Sequence, residues 1–339
     1  MVFDFENEWA IEFGARALDD LRRRIEAYRW PDIGLDRGWT TGTNDAVLRD
    51  LVATWLRAFD WRAVERALNA HAHVRVPIEG EAMHAMLAAG PARERRLPLL
   101  LLHGWPNSFA DYAHVTTLLS TAGDDGPPFD VVVPSLPGFG FSEPVRVAGL
   151  HPGRVAERLH RLMRRLGYAR YGVHGGDWGA IIGTALALRH PEAVAGLHLT
   201  HLPGRPAPTD GPPLADEERR YLDRLQPMRP EESGYVAIQG SRPQTLAYAQ
   251  NDSPVGLLAW IDGLGQSGLD GHDLRELGLK NGNLTVDDQR SGKHWTFSNI
   301  NVILGRPAQG GVIFRVESEN PERPWQLSAA MRPSMWNSM

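Results

Sequence analysis

The sequence has 339 residues, of which 42% are hydrophobic and 23% are charged, a balance typical of a globular protein with a large core. Its formal net charge of −5 argues against nucleic acid as the main partner. The chain contains no cysteine, which excludes disulfides, thiolate catalysis and cysteine metal sites. The acidic N-terminus has no signal-peptide pattern, and no apolar run is long enough to cross a bilayer. We therefore expect a cytoplasmic protein that binds neither nucleic acid nor membrane.

Residues 1–90 are predicted to form a helical N-terminal domain. Apolar residues recur every three or four positions in ALDDLRRRIEAY (17–28) and in NDAVLRDLVATWLRAFDW (44–61), which is the spacing of amphipathic helices. Pro31 disfavours helix in the residue before it, so the first helix should end nearby. Asn44 is a suitable N-cap for the second helix.

Residues 91–204 are predicted to form an α/β core. Short apolar runs at 97–104, 129–138 and 169–176 end in glycine, as buried strands do. Helical patterns occupy 151–168 and 178–190 between and after them. Alternating strands and helices of this kind predict a mostly parallel sheet flanked by helices.

The stretch GGDWG (175–179) places Asp177 between small residues where a predicted strand turns into a helix. This is the pattern of a nucleophile elbow, a tight turn that holds a nucleophile at the N-terminus of a helix. An aspartate there can open an activated C–X bond and form an alkyl ester that water then splits. The alternative is that Asp177 simply caps the helix.

HGWPNS (103–108) also lies where a predicted strand ends and a helix begins. In elbow architectures, one backbone N–H from this position and one from the residue after the nucleophile form an oxyanion hole. The expected donors are Trp105 and Trp178. This second motif favours catalysis over simple capping for Asp177.

These motifs occur within a longer series of segments. They are RWPD (29–32), FDWRAVERALNAHAHVRVPIEG (59–80), LLLLHGWPNSFADY (99–112), SLPGFGFSEP (135–144), GGDWG (175–179), GLHLTHLP (196–203) and SGYVAIQGSRPQTLAYAQNDSPVGLLAWI (233–261). In this order they make the chain resemble the microsomal and juvenile-hormone type of epoxide hydrolase, over about three-quarters of its length. The family has an α/β-hydrolase fold preceded by its own N-terminal domain.

The resemblance implies that Asp177 is the nucleophile and that Tyr235 is a lid tyrosine, which polarises the epoxide oxygen and protonates the leaving alkoxide. Tyr248 is interpreted as a packing residue. The implied substrates are a small-molecule epoxide and water, with no cofactor and no metal. Four histidines could be imagined as metal ligands, but their spacing fits no zinc pattern, so structural roles are expected. They are His71, His73, His103 and His174.

The resemblance ends near Ile261. Residues 205–261 are expected to begin a helical lid, which would then be incomplete. Residues 1–261 contain no lysine and five asparagines, whereas 262–339 contain two lysines and six asparagines. We expect 262–339 to be a loop-rich, loosely packed tail, or a segment that is not encoded in the reading frame of the rest.

The family also needs a histidine that activates water, an acid that orients it, and a second lid tyrosine, all downstream of the last matching segment. His294 and His272 are the two histidines of the tail, and no motif supports pairing either with Asp270, Asp273 or Asp287. His294 is a weak candidate for the base, which stays unknown. Alternatives are another Asp-nucleophile hydrolase, such as a haloalkane dehalogenase, or a non-catalytic product that has lost its C-terminal third. Nothing in the sequence fixes the oligomeric state.

Overall fold

The computed structural model describes residues 9–34, 38–89, 97–121, 128–200, 219, 234–265, 276–288, 293–305, 312–318 and 325–331, the last four ranges by their backbone alone. The chain divides into two compact units. The first comprises 1–30, 50–226 and 253–255, and the second comprises 31–49, 227–252 and 256–339.

The first unit is built on a six-stranded sheet with the order β1-β2-β4-β3-β5-β6. Its strands are β1 (Ala72–Ile78), β2 (Glu81–Ala88), β3 (Pro98–Leu102), β4 (Asp130–Pro134), β5 (Tyr171–Gly175) and β6 (Val194–Leu199). The four strands from β3 to β6 are parallel to one another. This confirms the mostly parallel sheet predicted from the three apolar runs and places the ends of β3 and β5 side by side.

The prediction that residues 1–90 are helical throughout is wrong at its C-terminal end. Residues 72–88 form an antiparallel hairpin, and β2 pairs antiparallel with β4 as part of the main sheet. Glu79 (φ 55°) and Gly80 (φ 88°) form the two-residue turn between Ile78 and Glu81. Two positive φ angles in succession are typical of the tight turns whose twist matches that of a hairpin. The alternation in AHVRVPI and the following Glu-Gly pair were the local signal for this hairpin.

Helices precede, separate and follow these strands along the chain. They are α1 (Ala15–Glu26), α2 (Asp45–Arg57), α3 (Trp61–Leu68), α4 (Ala113–Ser120), α5 (Pro152–Arg165) and α6 (Trp178–Arg189), with 3₁₀ turns η1 (Gly38–Thr41) and η2 (Phe109–Tyr112). Asn44 caps α2 as predicted, because its Oδ1 accepts from the N–H groups of Ala46 and Val47 at 3.0 and 3.2 Å. The apolar face predicted for α5 is buried in the core.

Successive residues of the central strands point into two different cores. Val132 and Leu100 pack with the apolar face of α5, whereas Val131, Val133 and Leu101 pack with Phe109 of η2. Because side chains alternate along a strand, each central strand is buried on both sides. This explains why these strands read as continuous apolar runs in the sequence.

The second unit contains helices α7 (Gly234–Ser241) and α8 (Pro243–Asp252) and all but the first two residues of α9 (Pro254–Gly265), followed by four strands. The strands are β7 (Glu276–Asp288), β8 (Lys293–Gly305), β9 (Val312–Ser318) and β10 (Trp325–Met331), all antiparallel in the order β10-β9-β8-β7. The expectation of a loop-rich tail is therefore wrong. The alternation of Trp295 with Phe297 and of Ile300 with Val302 carried a period-two signal that the Gly- and Asn-rich composition obscured.

Candidate active site

Asp177 occupies the turn between β5 and α6. Its backbone has φ 50° and ψ −125°, a conformation that L-residues rarely adopt and that costs of order 1–3 kcal/mol. The preceding strand ends at Gly175 and the helix begins at Trp178. The turn places the Asp177 carboxylate at the helix N-terminus, where the dipole favours negative charge.

The elbow requires glycine on both sides of Asp177. A Cβ on Gly175 would collide with the carbonyl group of Gly179 and lie 2.9 Å from the N atom of Ala180. A Cβ on Gly179 would collide with the carbonyl oxygen of Leu102 and lie 2.7 Å from its carbonyl carbon. These obstacles are backbone atoms, so they cannot move aside as a flexible side chain can. The predicted need for small flanking residues is thus explained by the close approach of α6 to β3 and β5.

The loop after β3 brings a backbone donor to this carboxylate. The N–H of Trp105 donates a hydrogen bond of 2.9 Å to Oδ1 of Asp177. A Cβ on Gly104 would collide with the Asp177 carboxylate, so the loop can approach so closely only because residue 104 is glycine. The structure therefore brings together two of the predicted site residues, while Trp178 follows Asp177 as the first residue of α6. No local sequence pattern indicated the part played by Gly104.

His103 holds the same loop in place through two hydrogen bonds. Its side chain is 2% exposed, its Nε2 accepts from the N–H of Leu136 at 3.1 Å, and its Nδ1 lies 3.1 Å from the carbonyl oxygen of Gly104. Burial lowers the pKa of His103, although the Gly104 carbonyl and the carboxylates of Asp111 and Asp177 act in the opposite direction. Because Nε2 accepts from Leu136 and Nδ1 faces a carbonyl oxygen, the ring carries its proton on Nδ1, in keeping with the structural role expected for it.

Polar side chains also meet near the ends of β3, β5 and β6. The hydroxyl of Tyr112 donates to the Leu102 carbonyl at 3.1 Å, and the ring of Tyr112 packs edge-on against His174. His174 on β5 and His198 on β6 place their Nδ1 atoms 2.7 Å apart. Burial, and then the neighbouring His198, lower the pKa of His174. The His174–His198 pair has no signal in the local sequence, because it arises only when β5 and β6 align in register.

The other predicted residues lie in the second unit or outside the described residues. Tyr235 is a half-buried residue of α7. Tyr248 is 72% exposed on α8, so its interpretation as a packing residue is wrong. His294 lies on β8, where it is the register partner of Asp287 on β7. His272, Asp270 and Asp273 lie outside the described residues.

Among the residues that the structure describes, no three histidines or carboxylates are grouped so that they could hold a metal ion. Over the same part of the chain, no helix is both long enough and apolar enough to span a bilayer.

Comparison with known proteins connects this geometry to a chemistry. Residues 6–112 match the family model described as the epoxide hydrolase N terminus, and residues 98–229 match that of the alpha/beta hydrolase fold. A relative from Stigmatella aurantiaca is 40% identical over 252 residues, which are 72% of this chain and 56% of the relative. Epoxide hydrolase 1 of Sus scrofa is 33% identical over 276 residues, which are 74% of this chain and 60% of that protein.

A solved structure agrees with these matches. The crystal structure of juvenile hormone epoxide hydrolase from the silkworm Bombyx mori aligns with a TM-score of 0.64 at 31% identity, covering 75% of this chain and 62% of the silkworm chain. The chain thus spans somewhat more than half the length of the curated relatives that it matches, between 56% and 60% for the first two.

Proposed function

The chain belongs to the epoxide hydrolase family, and we propose that it opens epoxides through an ester on Asp177. One observation carries this proposal: the hydrogen bond of 2.9 Å from the Trp105 N–H to Oδ1 of Asp177. The bond holds one carboxylate oxygen in place and leaves Oδ2 as the attacking atom. A carboxylate held in this way is preorganised for displacement at carbon.

In the first half-reaction, Oδ2 of Asp177 attacks an epoxide carbon and a new C–O ester bond forms. The ring C–O bond breaks, and its electron pair stays on the former ring oxygen. That oxygen takes a proton from an acid, for which Tyr235 on α7 is our candidate. The product of this step is a hydroxyalkyl ester of Asp177.

In the second half-reaction, water attacks the Asp177 carbonyl carbon. The negative charge that develops on Oδ1 is stabilised by the N–H of Trp105 and, in our proposal, by that of Trp178. Collapse of this intermediate breaks the bond between the carbonyl carbon and the ester oxygen Oδ2. The diol leaves with this oxygen, which takes up a proton. Asp177 is thereby regenerated.

The second half-reaction needs a base that removes a proton from the attacking water. The matches to relatives cover about three-quarters of this chain, and the strands of the tail form a sheet of their own. His294 on β8 is the remaining candidate that lies on a described element. Without an effective base, the ester would accumulate and each molecule would react only once.

Intact-mass spectrometry after incubation with styrene oxide tests the proposal. We expect a mass increase of one epoxide per chain, absent in Asp177→Asn, with diol measured in parallel. A stoichiometric adduct without diol indicates that the base is missing, whereas sustained diol release indicates that one is present. An adduct with a haloalkane but none with the epoxide would favour the dehalogenase alternative. Neither adduct nor diol from folded protein would contradict the proposal and leave a non-catalytic protein.

A further inference from the structure

A buried line of polar side chains runs through the first unit toward the loop that carries Trp105. Its members are His73 on β1, His84 on β2 and Ser135 after β4, and the two imidazoles are 2% and 0% exposed. His73 Nδ1 lies 3.0 Å from His84 Nε2, and His84 Nδ1 lies 2.8 Å from the Ser135 hydroxyl. Such a line needs an explanation, because a buried polar group is costly unless it is fully hydrogen-bonded.

The hydrogen-bond partners determine which ring nitrogen of each histidine carries the proton. His73 Nε2 lies 2.9 Å from the carbonyl oxygen of Leu68, which can only accept, so His73 carries its proton on Nε2. His73 Nδ1 must then accept from His84 Nε2–H, and His84 Nδ1 must accept from the Ser135 hydroxyl. The line therefore runs in one direction, from the hydroxyl of Ser135 to the end of α3. Burial lowers the pKa of both imidazoles, that of His84 to about 3.

Further hydrogen bonds hold the segment from Ser135 to Ser142 against β2. The Ser135 N–H donates to the His84 carbonyl at 2.9 Å. The hydroxyl of Ser142, from the far end of the segment, donates to the Ser135 carbonyl at 2.7 Å and accepts from the His84 N–H at 3.0 Å. A Cβ on Gly140 would lie 2.6 Å from the Ser135 Oγ. The segment is thus held against β2 at both of its ends.

This segment meets the site at its second residue. Leu136, which is 3% exposed, donates its N–H to Nε2 of His103. His103 immediately precedes Gly104 and Trp105, and Trp105 reaches Asp177. The path from the hairpin to Asp177 therefore consists of hydrogen bonds and of adjacent residues in two chain segments, 135–136 and 103–105.

We propose that the line His73–His84–Ser135, acting through the Leu136–His103 hydrogen bond, sets the position of the Trp105 N–H against Asp177. These side chains are positioning residues for both half-reactions, and the inference rests on the proposed function. The hairpin strands β1 and β2 thereby support the site, although they lie outside the strands that carry it. A displacement of about 1 Å in such a group can cost on the order of 10²-fold in rate.

Two matched variants of His103 separate its two hydrogen bonds. In His103→Gln the amide oxygen reaches the position of Nε2 and can still accept from Leu136. In His103→Asn the shorter side chain reaches only the position of Nδ1. It can therefore donate to the Gly104 carbonyl but cannot accept from the Leu136 N–H. We expect His103→Asn to slow ester formation on Asp177 by about 10- to 100-fold, and His103→Gln to stay within a few-fold of the unmodified protein.

The pH dependence gives a readout that a merely structural role would not change. Protonation of His103 would place a second N–H opposite the Leu136 donor and break that bond. Asp111 and Asp177 are the charged groups that face this ring. The advantage of the unmodified protein over His103→Gln should therefore shrink as the pH falls below the ordinary histidine pKa of about 6.5 toward the lowered pKa of His103. The exposed residue His114 on α4 supplies the control, because His114→Gln should leave the pH profile unchanged.

Ser135→Ala tests the upstream part of the line, since it removes the donor to His84 while leaving His103 intact. We expect slower ester formation, by about tenfold, in protein that is still folded. An unchanged rate in both Ser135→Ala and His103→Asn would overturn the proposal.

Two measurements without substrate keep the proposal testable if a variant fails to fold or if the unmodified protein gives no adduct. ¹⁵N NMR of labelled histidines should assign the Nε2–H tautomer to His84 and the Nδ1–H tautomer to His103; the reverse assignment would overturn the inference. Hydrogen exchange should find the Trp105 amide protected in the unmodified protein and in His103→Gln, with exchange about tenfold faster in His103→Asn. Equal exchange in all three would also overturn it. If the NMR and exchange results are as expected but no adduct forms on Asp177, only the proposed function is contradicted.

Discussion

The N–H of Trp105 donates a hydrogen bond of 2.9 Å to Oδ1 of Asp177 across 72 positions of sequence. The contact joins the loop after β3 to the turn after β5, two strands that are parallel neighbours in the sheet. Because the carboxyl ends of parallel neighbours meet at one edge, the two loops face each other there. The two oxygens of Asp177 are thereby made unequal: the backbone holds Oδ1, and in our proposal Oδ2 attacks the epoxide.

The glycines of the elbow should not tolerate a methyl group. We expect Gly179→Ala to lower the free energy of unfolding by about 1–3 kcal/mol or more, because the added Cβ meets the backbone of Leu102, and to reduce ester formation on Asp177. Denaturant titration measures the first effect and intact mass the second. Gly196→Ala on β6 is the matched control, because nothing lies within 4 Å of its Cβ position. Equal stability of the two variants would contradict this explanation of the elbow.

The backbone strain at Asp177 should be measurable as stability. Asp177→Gly is expected to raise the free energy of unfolding by about 1 kcal/mol, because glycine adopts a positive φ without steric cost. The same variant should form no adduct with an epoxide. Asp177→Ala retains the strain, so it should show no comparable gain. A lower stability of Asp177→Gly than of Asp177→Ala in urea titrations would indicate that the turn is not strained.

The buried histidines should make the protein sensitive to mild acid. The pKa values of His73, His84 and His103 are all lowered by burial, that of His84 to about 3, whereas an unfolded histidine has a pKa of about 6.5. Below that pH the unfolded chain binds more protons than the folded chain. Stability is therefore fully present above about pH 6.5 and is lost progressively toward the folded pKa.

Urea titrations at pH 7, 6 and 5 measure this loss. The lowered pKa values of the paired carboxyl groups Asp20, Glu65 and Glu81 have their effect mainly below the ordinary values of 3.8 and 4.5. Burial raises the pKa of Asp111 and Asp262, so these two carboxyl groups bind protons more readily in the folded chain and oppose the loss as the pH falls. We expect His84→Gln to make the pH dependence shallower by up to about 1 kcal/mol per pH unit. The exposed-site variant His114→Gln should leave the slope unchanged. A flat profile between pH 7 and 5 would refute the prediction.

The tail should be dispensable for the first half-reaction. Within the described residues, β7 to β10 form hydrogen-bonded ladders only with one another, so the six-stranded sheet does not need them for its pairing. A chain that ends at Gly265 is expected to form the Asp177 adduct to the same extent as the full chain. Diol release by the full chain but not by the shortened one would place the base in the tail, with His294→Gln as the specific test. Loss of the adduct from a shortened chain that remains folded would show this view to be mistaken.

Local sequence was enough to find the strands of the core and Asp177 in the turn after β5. The apolar runs at 97–104, 129–138 and 169–176 identified β3, β4 and β5 because these strands are buried on both faces. The glycine spacing around Asp177 identified the elbow because a tight turn between a strand and a helix excludes a Cβ on both sides. Asn44 was recognised as a helix cap for a similar reason, since its effect reaches only two or three residues along the chain.

The hairpin and the tail strands were missed although their signals are local, because short alternating segments compete with helical periodicity and with turn-rich composition. Other features could not be read from any local pattern. The contact of Gly104 with the Asp177 carboxylate, the His174–His198 pair and the line from His73 to Ser135 join residues that are far apart in the sequence. Strand order and register decide which of these side chains meet. The sequence by itself therefore determined the candidate nucleophile Asp177 and its turn, and the tertiary structure decided which groups hold the Asp177 carboxylate in place, because hydrogen bonds form only between atoms that the packed sheet brings within about 3 Å.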